Sequence, residues 1–361
     1  MNAHKVPAPA GPPRQQADTA RAPIADDMAM LRAARDLTRG IAEANPRIYW
    51  PDFLASAVIG YAALAGAILA DNLWLTGFLG VAAALALYRA LLFIHELSHI
   101  HRNALPGFRT VWNLLIGIPM LTPSLMYEGV HTIHHTRTRY GTAEDPEYLP
   151  LALMKPWSLP LFILISLLAP PALVIRYAIL TPLGLIIPPL RTLVWERFSA
   201  LSINPDFRRR PSAEEFRRRF FWQETGATIW SITLLASTFL IGWRPLLIAL
   251  AVFSLTAVLN QTRTLVAHLW ENDGQPMTVT AQYLDSVNVP PPGMLAEIWA
   301  PVGLRYHALH HLLPSMPYHS LPEMHRRLTA HLGAGSTYDR ANHGALAVLV
   351  SRLLRSTMRA G

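Results

Sequence analysis

LWLTGFLGVAAALALYRALLFIHELSH, residues 73–99, decides the fold. From Leu73 to Ile94 the stretch carries one charge, Arg89. A hydrocarbon core of about 30 Å needs roughly 20 helical residues to cross it. The stretch therefore predicts a membrane-spanning helix, with Arg89 near its end snorkelling toward the interface. It runs without a break into His95-Glu96-Leu97-Ser98-His99. Residues four apart share one helix face, and imidazole is a favoured ligand for zinc, copper, iron and nickel. A pair of metal-binding side chains is thus expected where a helix leaves the bilayer.

Working outward, Phe53–Ala70 is apolar and uncharged, and Asp71-Asn72 forms a tight polar turn into the return span. Trp112–Met126 is short and carries Pro119 and Pro123, which predicts an interfacial or buried segment. Trp157–Val194 is long and apolar but interrupted by Pro170-Pro171, Pro182 and Pro188-Pro189. Ala227–Gly242 and Pro245–Leu259 read as a last pair of spans, joined around Trp243-Arg244. Between them and the proline-rich stretch lies a basic loop, Arg197 and Arg208 through Arg219.

The composition agrees with these spans. Hydrophobic residues make up 52% of the 361 and charged ones 15%, against about 25% charged in ordinary soluble domains. The net charge of +8 raises the question of nucleic acid. The arginines flank apolar segments and no nucleic-acid motif is present, so no nucleic-acid partner is expected. Orientation in the membrane and anionic lipid head groups account for the excess. The chain has no cysteine, which excludes disulfides, iron–sulfur clusters and thiolate ligands within it.

The expected organisation has three parts. Residues 1–44 form an N-terminal tail on the cytoplasmic side, disordered over Met1–Pro23. Over Ile24–Ala44 a short amphipathic helix is expected, with Met28, Leu31, Ala34 and Leu37 on one face, lying on the membrane surface or packed on the domain. Residues 45–330 form the membrane domain and residues 331–361 a C-terminal tail. Lys5, Arg14, Arg21, Arg32, Arg35, Arg39 and Arg47 put the N-terminal tail inside by the positive-inside bias. The first two spans return the chain to that face, and the basic loop belongs there too. Trp157–Val194 must then cross an even number of times, as a proline-broken hairpin or not at all.

Two further clusters complete the pattern: His131-Thr-Ile-His134-His135 and His307-Ala-Leu-His310-His311. With His95 and His99, eight of the fifteen histidines fall in three short windows. They are too many for one ordinary ion and suit two held close together. Parity brings all three windows to one face. Carboxylates near them in sequence are Glu96, Glu128, Glu144, Asp145, Glu147, Glu271 and Asp273. Some are expected to orient imidazole N–H groups, Asp145 and Glu96 first among them. His101 is read either as a partner of the centre or as a structural residue. His319 is expected to cap or hydrogen-bond near the third window, and His4, His325, His331 and His343 to lie on the surface.

With its flanking residues, the chain resembles the membrane fatty acid desaturases, integral-membrane enzymes with three histidine boxes. Gly117-Ile-Pro119 leads to Tyr127-Glu-Gly-Val-His131 and on to Tyr140-Gly-Thr-Ala-Glu-Asp145-Pro-Glu-Tyr148. Arg263-Thr-Leu-Val-Ala-His268 precedes the third box, and His310-His-Leu-Leu-Pro314-Ser-Met-Pro317-Tyr-His319 follows the family's form. The resemblance runs from about Asn45 to Leu328. It implies an all-α fold: a helical bundle in the membrane with a cytoplasmic helical cap carrying the boxes. It implies a non-haem centre of two irons held by His95, His99, His131, His134, His135, His268, His307, His310 and His311. It implies O2-dependent removal of two hydrogens from an acyl chain, presented as an acyl lipid, acyl-CoA or acyl-ACP. Where some members have an asparagine one turn before the additional histidine, this chain has Thr264. No His-Pro-Gly-Gly motif of a fused cytochrome is present, so electrons are expected from a separate donor, a ferredoxin or a cytochrome b5-like protein with its reductase.

Three other readings are held beside desaturation. A di-iron hydroxylase or ketolase would use the same boxes, because hydroxylation shares the first hydrogen abstraction. His95-Glu96-Leu-Ser-His99 also matches HExxH, the zinc-peptidase motif in which the glutamate is general base; that reading leaves the other two boxes unexplained. A non-enzymatic metal-binding or scaffold protein is the last.

Overall fold

A computed structural model describes residues 24–101, 103–210, 214–293 and 295–360. The expectation for Met1–Pro23 lies outside them. Among the described residues the chain is all-α. Its only β-type pairings are isolated bridges, His268 with Ser286 and Asn288 with both Tyr306 and Asn342.

The principal helices in chain order are α1 (Met28–Asp36), α2 (Pro46–Leu69), α3 (Leu73–His99), α4 (His131–His134), α5 (Ser158–Ile186), α6 (Pro188–Phe198), α7 (Glu214–Ile241), α8 (Arg244–Leu265), α9 (Val279–Asp285), α10 (His307–Leu312), α11 (Leu321–Leu332) and α12 (Leu346–Ala360). Five runs are long and apolar enough to cross a membrane: Pro46–Leu69, Leu73–His99, Ser158–Ile186, Phe216–Ile241 and Arg244–Leu265. The protein is an integral membrane protein.

Local signals set the helix ends. Asn45 accepts from the Arg47 amide at 3.0 Å and Pro46 takes the first turn, so α2 starts well before the apolar run at Phe53. Asn72 accepts from the Trp74 and Leu75 amides at 2.8 and 3.1 Å, which turns the chain straight into α3. The two helices close on each other at Gly60, where an added Cβ would lie 2.7 Å from Leu87 Cδ2. Thr256 of α8 donates to the Ala84 carbonyl at 3.3 Å, which seats α8 on the other side of α3.

Arg89 does not snorkel. It makes a two-point ion pair with Asp52 of α2, at 2.8 and 2.6 Å, and Tyr318 donates to the same carboxylate at 2.7 Å. A carboxylate within the helix pair offers the guanidinium a better partner than the interface does.

The proline-rich run is bent. A tight 3-10 turn at Ile165–Leu168 is followed by Pro170-Pro171, and proline removes the backbone bond that would keep a helix straight. The first arm begins in one apolar cluster with Leu265 and Trp270, where Leu159 and Phe162 pack. It then lies along α8, where Ser254 donates to the Leu167 carbonyl at 2.8 Å. The second arm turns to α7. Arg176 pairs with Glu224 at 2.8 Å, and the Tyr177 hydroxyl reaches Met126 Sδ at 3.3 Å. Leu265 adjoins His268 and Met126 adjoins the second box. Both arms therefore meet residues close in sequence to the histidine clusters.

The expectation for the basic loop is corrected. The basic loop does not extend to Arg219: α7 begins at Glu214, so Arg217–Arg219 lie in its first turns. Glu, Phe and Arg are adequate helix formers and extend the apolar helix backwards. Arg209 is buried and donates to the Leu125 carbonyl at 2.9 Å. Of the two placements expected for the N-terminal helix, the structure has the one packed on the domain. Asp27 caps it, and Met30, Ala33 and Ala34 are buried in one cluster with Met324 and Leu328 of α11, while Met28 is exposed. Ala34 of the predicted face is buried in this cluster and Leu31 and Leu37 pack against it, so of the four predicted residues Met28 alone is outside.

Candidate metal centre

Eight of the nine histidines are delivered by helical turns. The last turn of α3 carries His95 and His99. The one-turn helix α4 carries His131 and His134, with His135 at its end, and α10 carries His307, His310 and His311. His268 follows the end of α8 directly.

The nine imidazoles gather in two groups, each with its nitrogens within 4.8 Å of one another. One holds His95, His99, His131, His135 and His310; the other holds His134, His268, His307 and His311. The HxxHH pattern explains the division. In the second box His131 and His135 share a face and go to the first group, while His134 points to the second. In the third box His307 and His311 share a face and go to the second group, while His310 points to the first.

The nitrogens meet edge to edge. His135 Nε2 lies 3.0 Å from His131 Nε2 and 3.2 Å from His310 Nε2. His307 Nε2 lies 3.0 Å from His268 Nε2 and 3.2 Å from His311 Nε2. Both nitrogens of His95 and Nε2 of His99 are buried without a hydrogen-bond partner. Lone pairs converging in this way need cations between them. A donor set of neutral nitrogen with nearby carboxylates suits first-row transition metals.

Behind three of the imidazoles stand acceptors that turn Nε2 inward. His134 Nδ1 faces Asp145 Oδ2 at 2.9 Å. Asp145 is wholly buried and is itself held by the Gly141 and Glu147 amides at 2.8 and 2.9 Å. His131 Nδ1 faces Glu147 Oε1 at 2.9 Å and the Tyr127 hydroxyl at 2.8 Å. His268 Nδ1 faces the Tyr140 hydroxyl at 2.8 Å, and Tyr140 donates to Asp285 at 2.8 Å. Such partners fix the tautomer and the ring orientation of a ligating histidine. Sequence reasoning singled out Asp145 and noted Glu147. It missed Tyr127, Tyr140 and Asp285. Tyr127 stands four residues before His131, a helical spacing that was available as a signal. Asp285 is far along the chain and gave none.

Protonation follows burial. Desolvation, then the neighbouring imidazoles, holds His135, His307, His310 and His311 well below the ordinary histidine range, so they stay neutral and free to ligate. Burial pushes His134 the same way, but Asp145, then Glu147 and Asp285, outweigh it and raise its pKa. Burial lifts Glu147 to about 7 and Asp285 to about 6.

Two predicted partners fall elsewhere. His101 is exposed, and its Nδ1 accepts from the Asn103 amide at 3.3 Å; α3 ends at His99, so the chain has already turned away. Glu96 is buried, but its carboxylate lies 3.8 Å from His95 Nδ1. It accepts instead from the Tyr49 hydroxyl and, at 3.0 Å, from the Tyr318 amide, tying the first box to α2 and to the segment after the third box. A glutamate held in this way is not placed as the general base of a zinc peptidase. His319 hydrogen-bonds beside the third box as expected, accepting from the Asn45 amide at 3.2 Å.

The profile of the fatty acid desaturase family matches residues 72–341, which takes in all three boxes and His268. The chain belongs to the fatty acid desaturase family. It is also 47% identical over 336 residues to a ceramide hydroxylase of Caulobacter vibrioides (strain NA1000 / CB15N), covering 92% of this chain and 95% of that protein. No solved structure matches. An oxidoreductase of the desaturase and hydroxylase kind is thus supported. Between its two chemistries, the relative favours hydroxylation over the desaturation expected from the boxes alone.

Proposed function

We propose that this protein is a membrane lipid hydroxylase that places one oxygen atom on a C–H carbon of a ceramide-type lipid, at a centre of two irons held by the nine histidines. The observation that carries the reading is the 47% identity to a ceramide hydroxylase along nearly the whole of both chains. The reaction balances as lipid C–H, O2, two electrons and two protons giving lipid C–OH and water. Bound iron would supply dioxygen activation and attack on an unactivated C–H bond.

The chain's own residues do the rest. Five imidazoles hold one metal position and four the other. Asp145, Glu147 and Tyr140 keep three of those rings turned inward. The surrounding apolar helices seat the lipid, exclude water and fix which carbon meets the centre. Electrons arrive from a separate acidic donor, a ferredoxin or cytochrome with its reductase, at the cytoplasmic face.

Expression in a host that makes ceramides and supplies a ferredoxin, followed by mass spectrometry of total lipids, tests the reading. Ceramides gaining one oxygen are expected, and no gain with His135→Ala. Ceramides losing two hydrogens would restore desaturation; new oxygen on other lipids alone would sink the ceramide assignment.

A further inference from the structure

The helix α8 is apolar until its last turns, where Asn260-Gln261-Thr262-Arg263-Thr264 interrupts it. Arg263 Nη2 donates to Asn260 Oδ1 at 3.3 Å and to Thr264 Oγ1 at 3.1 Å, while its Nε is buried without a partner. Among the described residues, no carboxylate forms an ion pair with it.

An arginine near the end of a span ordinarily snorkels toward the head groups. Arg263 points the other way, since Asn260 lies one turn deeper along α8 than Arg263 itself. The guanidinium lies beside the hydroxyl of Tyr88 on α3, a wholly buried side chain that donates to the Trp299 carbonyl at 2.9 Å. Its charge is felt at His95, at His268 and at His307, and also at Glu147 and Tyr127 behind the second box. The three histidines come from both groups. The guanidinium therefore stands between α3 and α8 on the bilayer side of the centre, where the helices arrive before they deliver their ligands.

Glu147 feels this cation's charge from beyond ion-pair distance, no carboxylate among the described residues touches it, and it faces two metal positions of like charge. Such an arrangement in a low-dielectric region is costly, and ionisable groups within a membrane mark functional sites. The chemistry that would complete it is a neutral acceptor carried by a lipid, such as an amide carbonyl or hydroxyl oxygen. A plain acyl chain offers nothing to a guanidinium at that depth. The head of a ceramide, with an amide and hydroxyls, offers several acceptors.

We propose that Arg263, supported by Asn260, determines specificity: it binds the amide and hydroxyl oxygens of a ceramide-type lipid beneath the centre. It thereby sets the oxidised carbon close to the head rather than in mid-chain. The proposal rests on the hydroxylase reading above.

The test uses full-length protein in nanodiscs: wild type, Arg263→Leu, Arg263→Lys and Asn260→Leu. Iron per chain is measured first. Binding of a short-chain radiolabelled ceramide is then measured on each protein after chelation, so that affinity is read without turnover. Finally the hydroxyl position in the product is mapped by fragmentation, with KM and kcat. Arg263→Leu is expected to keep its iron and to weaken ceramide binding by about tenfold or more. It should raise KM more than it lowers kcat and spread the hydroxyl along the chain. Arg263→Lys should restore part of the affinity, and Asn260→Leu should show a smaller loss of the same kind. Unchanged affinity and hydroxyl position in Arg263→Leu would overturn the proposal while leaving the hydroxylase reading intact. Loss of iron in that variant would also overturn it, by making Arg263 a support of the centre. A wild-type protein that oxidises no ceramide would overturn the hydroxylase reading, and this proposal with it.

Discussion

At the residue scale, the centre is a problem of aiming rings. Nine imidazoles can collapse on one another in many ways, and the Nδ1 partners select one of them. Asp145 is the best placed, wholly buried and held by two backbone amides. Asp145→Asn keeps the size but weakens the acceptor, so affinity for the second metal position should fall by about 10–100-fold; iron titration of the chelated protein checks it. His101→Ala should change neither iron content nor product, because that ring is outside the cluster. Much of this site was legible in the sequence. Spacings of three and four assign a helix face, and His268 was found because it follows a span. The Tyr140–Asp285 pair was not legible, since its members come together only through the packing of α9 against the boxes.

At the element scale, polar contacts inside the bundle hold the box-bearing helix in place. Arg89 and Asp52 lock α3 to α2, and Tyr318 extends the link to the segment after the third box. Arg89→Leu strands a carboxylate in that site. The loss of stability should be on the order of 1–3 kcal/mol, less than for a fully buried pair because the Arg89 side chain is 34% exposed. A thermal shift in detergent measures it, and a second substitution, Asp52→Leu, should recover part of the loss. Apolar length located the spans, yet it misplaced their starts. Asn45-Pro46 launches α2 early, and α7 absorbs Arg217–Arg219. Hydropathy sees the apolar body of a helix, whereas caps and long amphipathic side chains set its ends.

At the scale of the whole molecule, the boxes, the bent Ser158–Ile186 segment and the arginine-rich segment meet at one end of the bundle. Two adjoining clefts of about 520 and 570 Å³ lie there and share Glu128 and Gly129. Their walls include Thr132 and Ile133, which lie between His131 and His134 in sequence, and also Arg208 and Arg210. An acidic donor seated there would be steered by charge. Reversing Arg208 and Arg210 to Glu should slow reduction by an acidic ferredoxin several-fold, most at low salt, and leave reduction by dithionite unchanged; stopped-flow spectroscopy separates the two. The central claim is that the histidine centre puts oxygen from O2 on a ceramide carbon. Purified, iron-loaded protein supplied with ceramide, ferredoxin, its reductase and isotopically heavy dioxygen tests it most directly. The account predicts one heavy oxygen atom in each product ceramide and none with His135→Ala. A ceramide with a new double bond, or a hydroxyl carrying ordinary oxygen, would contradict it.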